Sequence, residues 1–347
     1  MLRRFLVSYL LLFVASAALS QRPKLLSQKR LSRSAVATGH FSGIAPLGGG
    51  RYAVVSDKEQ TPGFYVWHID IDSLTGSLRS VRSEGYRSGP AKGSAFDIEG
   101  IAFFPPCGTL FLSDEYSQTI SEYTSEAQPT GRHLAVPPLL GRHNVQSNMG
   151  FEALTYDTLG HLFYTMTEGP LRSDTALYGP RMLRLQSFSD NLQPHGQWSY
   201  LLEEPQLLGR GRTHVQGVSA LCALPDGRLL VLERELSVKR RYLGSRVRCH
   251  VFLIEPLSAL SATVQKCGSE EALAKPQELK KQLIVSFRSR LWPLAKGWAN
   301  YEGMCLGPRL ADGRQTILLI NDSQASMGNS LYRLRNYLRV LILPAHI

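Results

Sequence analysis

Short apolar runs separated by Gly, Pro, Asn and Asp turns dominate the chain from residue 36 onward, and the pattern predicts strands throughout. Residues 269–282 (SEEALAKPQELKKQ), broken by Pro276, predict the one helical insertion. A two-strand unit recurs. It reads FSGIAPLGGGRYAVVSD at 41–57, IEGIAFFPPCGTLFLSDE at 98–115 and FEALTYDTLGHLFYTMTE at 151–168. It returns as VSALCALPDGRLLVLERE at 218–235 and YEGMCLGPRLADGRQTILLIND at 301–322. Each copy is a small apolar strand, a glycine-containing turn and a stronger apolar strand ending in a polar or acidic cluster. Such repetition predicts an all-β fold, a β-propeller of four-stranded antiparallel blades. Five copies predict five blades; a sixth, degenerate blade within 236–300 is the alternative. Residues 330–343 can supply a last strand, with N-terminal residues closing the ring. Residues 21–35 read as a basic linker, and 36–343 as the propeller domain.

Aligning the copies produces two columns. The first holds Ser42, Glu99, Glu152, Ser219 and Glu302, one per blade on the innermost strand. Three carboxylates converging on an axis repel one another and are costly to desolvate, and a cation removes that cost. Oxygen-only donors suit Ca²⁺ rather than Zn²⁺. The second column closes the stronger strand with Asp57, Asp114 with Glu115, Glu168, Glu233 and Asp322. Lys58 and Arg234 are interleaved with it. Glu115, Glu168 and Glu233 are the candidate catalytic carboxylates. Lys58, Arg234, Asp57 and Asp322 are the candidate substrate contacts. Asp97 and Asn300 are read as turn caps. His40 and His214, just upstream of axial positions, are the candidate acid or base histidines.

Charge adds a substrate class. Lys and Arg number 39 against 28 Asp and Glu, a formal net charge of +11. Such a surface attracts anions: phosphate esters, nucleic acid or acidic lipid. The basic residues are scattered and no nucleic-acid motif accompanies them, so nucleic acid is not an expected partner. Residues 1–20 (MLRRFLVSYLLLFVASAALS) have the charged start, apolar middle and small-residue end of a secretory leader. The expected location is therefore periplasmic or extracellular, with no membrane span after the leader is removed. Of the five cysteines, Cys249 and Cys267 flank a polar loop and could pair, while Cys222 and Cys305 lie within apolar strands as free thiols. Nucleophile-elbow, Walker A, dinucleotide-binding and HExxH patterns are absent, which disfavours serine esterases and nucleotide-dependent oxidoreductases.

The segments DIEGIAFFP (97–105), LFLSDE (110–115), NMGFEAL (148–154), GVSALCALPDGRLLVLERE (217–235), NYEGMC (300–305) and LLIND (318–322) together resemble the exported phytase-like family, also called esterase-like activity of phytase. The resemblance implies an exported β-propeller associated with hydrolysis of phosphate esters or related esters. The order Ser, Glu, Glu, Ser, Glu is more distantly similar to the axial calcium site of five-bladed calcium-activated nucleotidases. It implies that the first column holds one Ca²⁺. Counterparts of that family's other motifs are missing, so nucleotide specificity is not implied. Two functions follow as expectations: a calcium-dependent phosphate-ester hydrolase acting at the channel, or a non-catalytic binding or scaffold protein with a structural axial calcium.

Overall fold

The computed structural model describes residues 22–37, 39–90, 96–209, 211–240, 242–256, 275–292, 297–328, 333–345 and 347. The expected leader, Cys267 and residues 269–274 of the expected helix lie outside them.

Five antiparallel sheets form the blades: four have four strands, and in the last, two short strands share the outermost place. Blade 1 is β3 (Phe41–Gly48), β4 (Arg51–Ser56), β5 (Gly63–Ile71) and β6 (Leu78–Ser88). Blade 2 is β7 (Ile98–Phe104), β8 (Thr109–Asp114), β9 (Thr119–Tyr123) and β10 (Pro129–His133). Blade 3 is β11 (Phe151–Asp157), β12 (Leu162–Thr167), β13 (Met182–Ser189) and β14 (Pro194–Leu201). Blade 4 is β15 (Thr213–Ala223), β16 (Leu229–Val238), β17 (Arg246–Ile254) and β18 (Lys281–Arg290). Blade 5 takes β19 (Asn300–Arg309), β20 (Gln315–Asp322) and β21 (Tyr337–Ile342) from the end of the chain. Its outer edge comes from the beginning, where β1 (Lys24–Leu25) and β2 (Lys29–Arg30) both pair with β21. The segment read as a linker is thus built into the ring. The 236–300 interval completes blade 4, and no sixth blade forms among the described residues. Lys281 and Gln282, read as helix, belong to β18.

Each inner strand packs on the next, and β19 closes on β3. The core is divided among the five seams, with one apolar cluster between each pair of blades. Alternation along a strand feeds both seams. On β4, Tyr52 and Val54 face blade 5 while Ala53 and Val55 face blade 2. On β16, Leu230 and Leu232 face blade 5 while Leu229 and Val231 face blade 3. A strand buried on both faces needs apolar residues at every position, which is why the second strand of each unit reads as a continuous run.

Each inner strand also carries a β-bulge at the same place. The register shifts fall at Phe41/Ile44, Ile98/Gly100, Phe151/Ala153, Val218/Ala220 and Tyr301/Gly303. In every blade the residue inside the shift is the first-column residue: Ser42, Glu99, Glu152, Ser219 or Glu302. A bulge re-aims a side chain that regular pairing would send into a seam. The next residue is small because the neighbouring inner strand lies against it: a Cβ on Gly43 would sit 2.6 Å from Glu99 O, and one on Gly100 2.6 Å from Glu152 O.

Candidate functional site

Two residues beyond each bulge, Ile44, Ile101, Leu154, Leu221 and Met304 line the channel, and the other mouth is apolar. Polar chemistry is therefore confined to one end of the axis. Glu152, Ser219 and Glu302 border a void of about 10 Å³ there, room for roughly one water-sized sphere. Ser42 Oγ donates to Ile98 O at 3.2 Å and Ser219 Oγ to Tyr301 O at 3.3 Å. These bonds tie each serine's inner strand to the next one and leave the hydroxyl lone pairs free.

A second layer sits above the first. In the strand register Ser56, Asp114, Thr167, Glu233 and Asn321 are equivalent, each opposite the residue before a bulge. The residues one step further on are Asp57, Glu115, Glu168, Arg234 and Asp322. The second column thus contains Arg234, not Glu233. Sliding one residue along a strand turns a side chain to the opposite face, and Glu233 accordingly points into the seam with blade 3. There it accepts hydrogen bonds from Tyr200 Oη at 2.6 Å, Glu203 N at 3.1 Å and Lys281 Nζ at 2.6 Å. It is bound up as a buried structural anion, away from the other candidate catalytic carboxylates. Asp114 is likewise spent on its turn, accepting from Asp97 N, Tyr116 N and Ser117 Oγ. His214 pairs with Glu235 at 2.9 Å, outside the column. Substituting Glu233→Gln is expected to lower stability by about 1–3 kcal/mol and leave turnover intact, as thermal melting and a parallel activity assay would show.

Arg234, only 5% exposed, is the fixed cation of the site. Its Nη1 donates to Glu302 and its Nη2 to Glu168, and Glu152 lies 3.7 Å from Nη2. Gly217, opposite Arg234 in the register, makes this packing feasible: a Cβ there would lie 2.2 Å from Glu168 O. Asn300 Nδ2 donates to Glu302 at 2.6 Å and fixes its orientation. Arg234 was expected to touch substrate; it is instead buried among the carboxylates.

On the opposite side Lys58, half exposed, bridges Asp57 and Asp97 at 2.9 Å each. His40 Nδ1 lies 3.8 Å from both Asp57 and Asp322. Asp322 accepts from Gln324 N at 2.6 Å and from the Gln324 side chain. Asp57, Asp97, Glu99, Glu115, Glu152, Glu168, Glu302 and Asp322 therefore share Lys58 and Arg234, with His40 alongside. Burial first, and then neighbouring carboxylates, push Glu99, Glu152 and Glu302 well above the usual carboxylate range; Arg234 opposes this for the latter two. Burial raises Asp322 to about 6. Asp57 Oδ1 and Asn300 Oδ1 are buried with no hydrogen-bond partner among the described residues. Oxygen donors, surplus negative charge and orphaned acceptors fit a hard divalent cation such as Ca²⁺.

Glu115 differs from its column mates. No ion pair holds it among the described residues; Oε1 accepts from Gly150 N at 2.6 Å. Burial, opposed by that hydrogen bond, raises it to about 7. It lines a cleft of about 300 Å³ with Asp97, Tyr116, Gln118, Arg142 and Arg172. Arg142 stacks over the Tyr116 ring, 4.3 Å from its centroid. Arg172 Nε donates to Val145 O, and it opens the short helix α1 (Arg172–Tyr178). The buried pair Asp174–Arg184 fixes α1 to β13. Neither cleft arginine has a carboxylate partner among the described residues. The repeat did not reveal them, because both lie on connections outside it.

Cys107, Cys222, Cys249 and Cys305 are free thiols, all but Cys107 buried. The expected partner of Cys249 is outside the described residues. No helix among those residues is long and apolar enough to cross a membrane.

Among solved structures the likenesses are distant. Residues align with a PQQ-bound aldose sugar dehydrogenase from Streptomyces coelicolor at 12% identity, over 91% of this chain and 98% of that one, TM-score 0.41. For the endo-arabinase of Bacteroides thetaiotaomicron the values are 13%, 92%, 98% and 0.41. For the α-L-arabinofuranosidase of Podospora anserina in complex with cellotriose they are 9%, 94%, 98% and 0.45. Such low identities say nothing about chemistry. No curated protein sequence matches this one. The family model described as phytase-like, esterase-like activity of phytase, matches residues 36–324. With that match spanning all five bulged inner strands, the chain belongs to the phytase-like family of β-propellers.

Proposed function

We propose that the protein is an exported, calcium-dependent hydrolase of phosphate esters, acting at the acidic end of the channel. The observation that carries this reading is Glu115: a carboxyl with no ion-pair partner among the described residues, raised to about 7, in a cleft beside two arginines that no described carboxylate holds. Arg142 and Arg172 supply forked donors for phosphoryl oxygens. The first-column oxygens of Ser42, Glu99, Glu152, Ser219 and Glu302 line the acidic end at which Ca²⁺ would be held. The bound ion would supply Lewis-acid polarisation of a phosphoryl oxygen. Glu115 takes a proton from water as the water oxygen bonds to phosphorus; the phosphorus–alcohol bond breaks, and the leaving oxygen receives a proton from the Glu115 carboxyl. Glu168, held by Arg234, positions that guanidinium and is not a free base.

The same Arg234–Glu168 contact supports a second reading, a binding protein whose calcium is structural. Phosphate release from a panel of phosphate monoesters, by the full chain in Ca²⁺ and in EDTA, separates them. Calcium-dependent release supports the hydrolase. Calcium-dependent stabilisation without release from any ester leaves the binding reading.

A further inference from the structure

We propose that the first divalent cation seats off the axis, on Asp57, Asp97 and Glu99, in competition with the ammonium of Lys58. This rests on the acidic end being a divalent-cation centre, and not on ester hydrolysis. One oxygen from each of the three carboxylates lies within 4.8 Å of the others. Oxygens bound to one Ca²⁺ at roughly 2.4 Å can be no more than about 4.8 Å apart, so the three can share an ion.

The two cations of the site divide its acidic side chains unequally. Arg234 is buried and serves Glu152, Glu168 and Glu302. Glu99 is just as deep, at 9% exposed, yet no hydrogen bond or ion pair reaches its carboxylate among the described residues. An unpaired carboxylate at that depth, aimed at two others, is suited to hold a cation. Asp57 Oδ1, buried with no hydrogen bond among the described residues and 3.8 Å from His40 Nδ1, is a second acceptor beside it. Lys58 holds only Asp57 Oδ2 and Asp97 Oδ1, and its side chain is 54% exposed. Its half-exposed side chain can swing into solvent, away from the more buried Asp57 and Asp97, which the buried Arg234 cannot do.

The three ligands are already positioned. Asp57 N donates to His40 O at 3.1 Å, fixing the exit of β4. Asp97 N donates to Asp114 Oδ1 at 3.0 Å, fixing the entry to β7. Glu99 is set by the β7 bulge. An ion here would join blades 1 and 2 next to the Glu115 cleft, which Asp97 also lines. The all-carboxylate donor set selects a hard cation of the Ca²⁺ type over Zn²⁺.

The test is calcium titration calorimetry on the full chain and four variants, each checked for folding by its melting midpoint in EDTA. Lys58→Met should bind Ca²⁺ about five- to tenfold more tightly, because the ammonium no longer has to be displaced from Asp57 and Asp97. Asp97→Asn and Glu99→Gln should weaken binding at least about tenfold, and Glu152→Gln by less than either. The proposal is overturned if Asp97→Asn binds as wild type does while Glu152→Gln loses the ion, which would put the seat on the axis. It is overturned equally if Lys58→Met binds no more tightly than wild type. Wild type that binds Ca²⁺ with this pattern but releases no phosphate overturns the hydrolytic reading alone.

Discussion

Arg234→Met should destabilise the ring by about 3–5 kcal/mol near neutral pH, the scale for removing one partner of a buried ion cluster. The guanidinium is buried between Glu168 and Glu302, with Glu152 3.7 Å away. Methionine fills much of the volume, so the loss is mainly electrostatic. Three buried carboxylates are left to repel one another, and their protonation is the cheapest relief. The deficit should therefore shrink as the pH is lowered toward about 5 and grow toward about 8. Arg234→Lys keeps the charge without the fork and should fall between the two. Urea unfolding of the three proteins at both pH values is the check. A deficit equal at both would mean that Arg234 acts through packing alone.

Glu115→Gln should cut phosphate release by about 10²- to 10⁴-fold, the usual contribution of a general base, without loss of stability. The glutamine carbonyl can still accept from Gly150 N. In wild type, turnover should rise through about 7 as Glu115 ionises, and that limb should vanish in the variant. Stability should move the opposite way. The folded carboxyl holds its proton to about 7 against an ordinary value of 4.5. Above the unfolded value the folded state binds more protons, so Glu115 costs stability progressively as pH rises through that window. The variant, free of this cost, should melt higher than wild type near pH 8. Unchanged turnover in a well-folded variant would remove Glu115 from the mechanism.

The propeller was legible because its physics repeats. Strands such as β4, β16 and β20 are buried on both faces and advertise themselves as unbroken apolar runs. The first column was legible because every inner strand carries the same bulge. The second was misread by one residue in blade 4. There LERE offers two glutamates around an arginine, and local pattern does not tell which of the three faces the axis. Only the pairing of Val218 with Glu233, and of Gly217 with Arg234, decides it. Arg142 and Arg172 were out of reach for a different reason: the connections that carry them have no repeat partner to align with. β1 and β2, two residues each, are too short to show a period, so the blade they complete could be anticipated only from the need to close the ring.

Five bulged strands gather more carboxylates than cations at one end of the channel, and the proposed divalent ion would offset the surplus. The direct test is the melting midpoint of the full chain in excess Ca²⁺ and in EDTA, between about pH 5 and 8. In the folded protein Asp322 holds its proton to about 6 and Glu115 to about 7, with Glu99, Glu152 and Glu302 raised as well. At low pH these protons compete with the ion; at high pH the bare carboxylates need it. The gap between the Ca²⁺ and EDTA midpoints should widen as pH rises. Coincident midpoints across the range, with elemental analysis confirming that EDTA leaves no metal behind, would contradict the proposed ion.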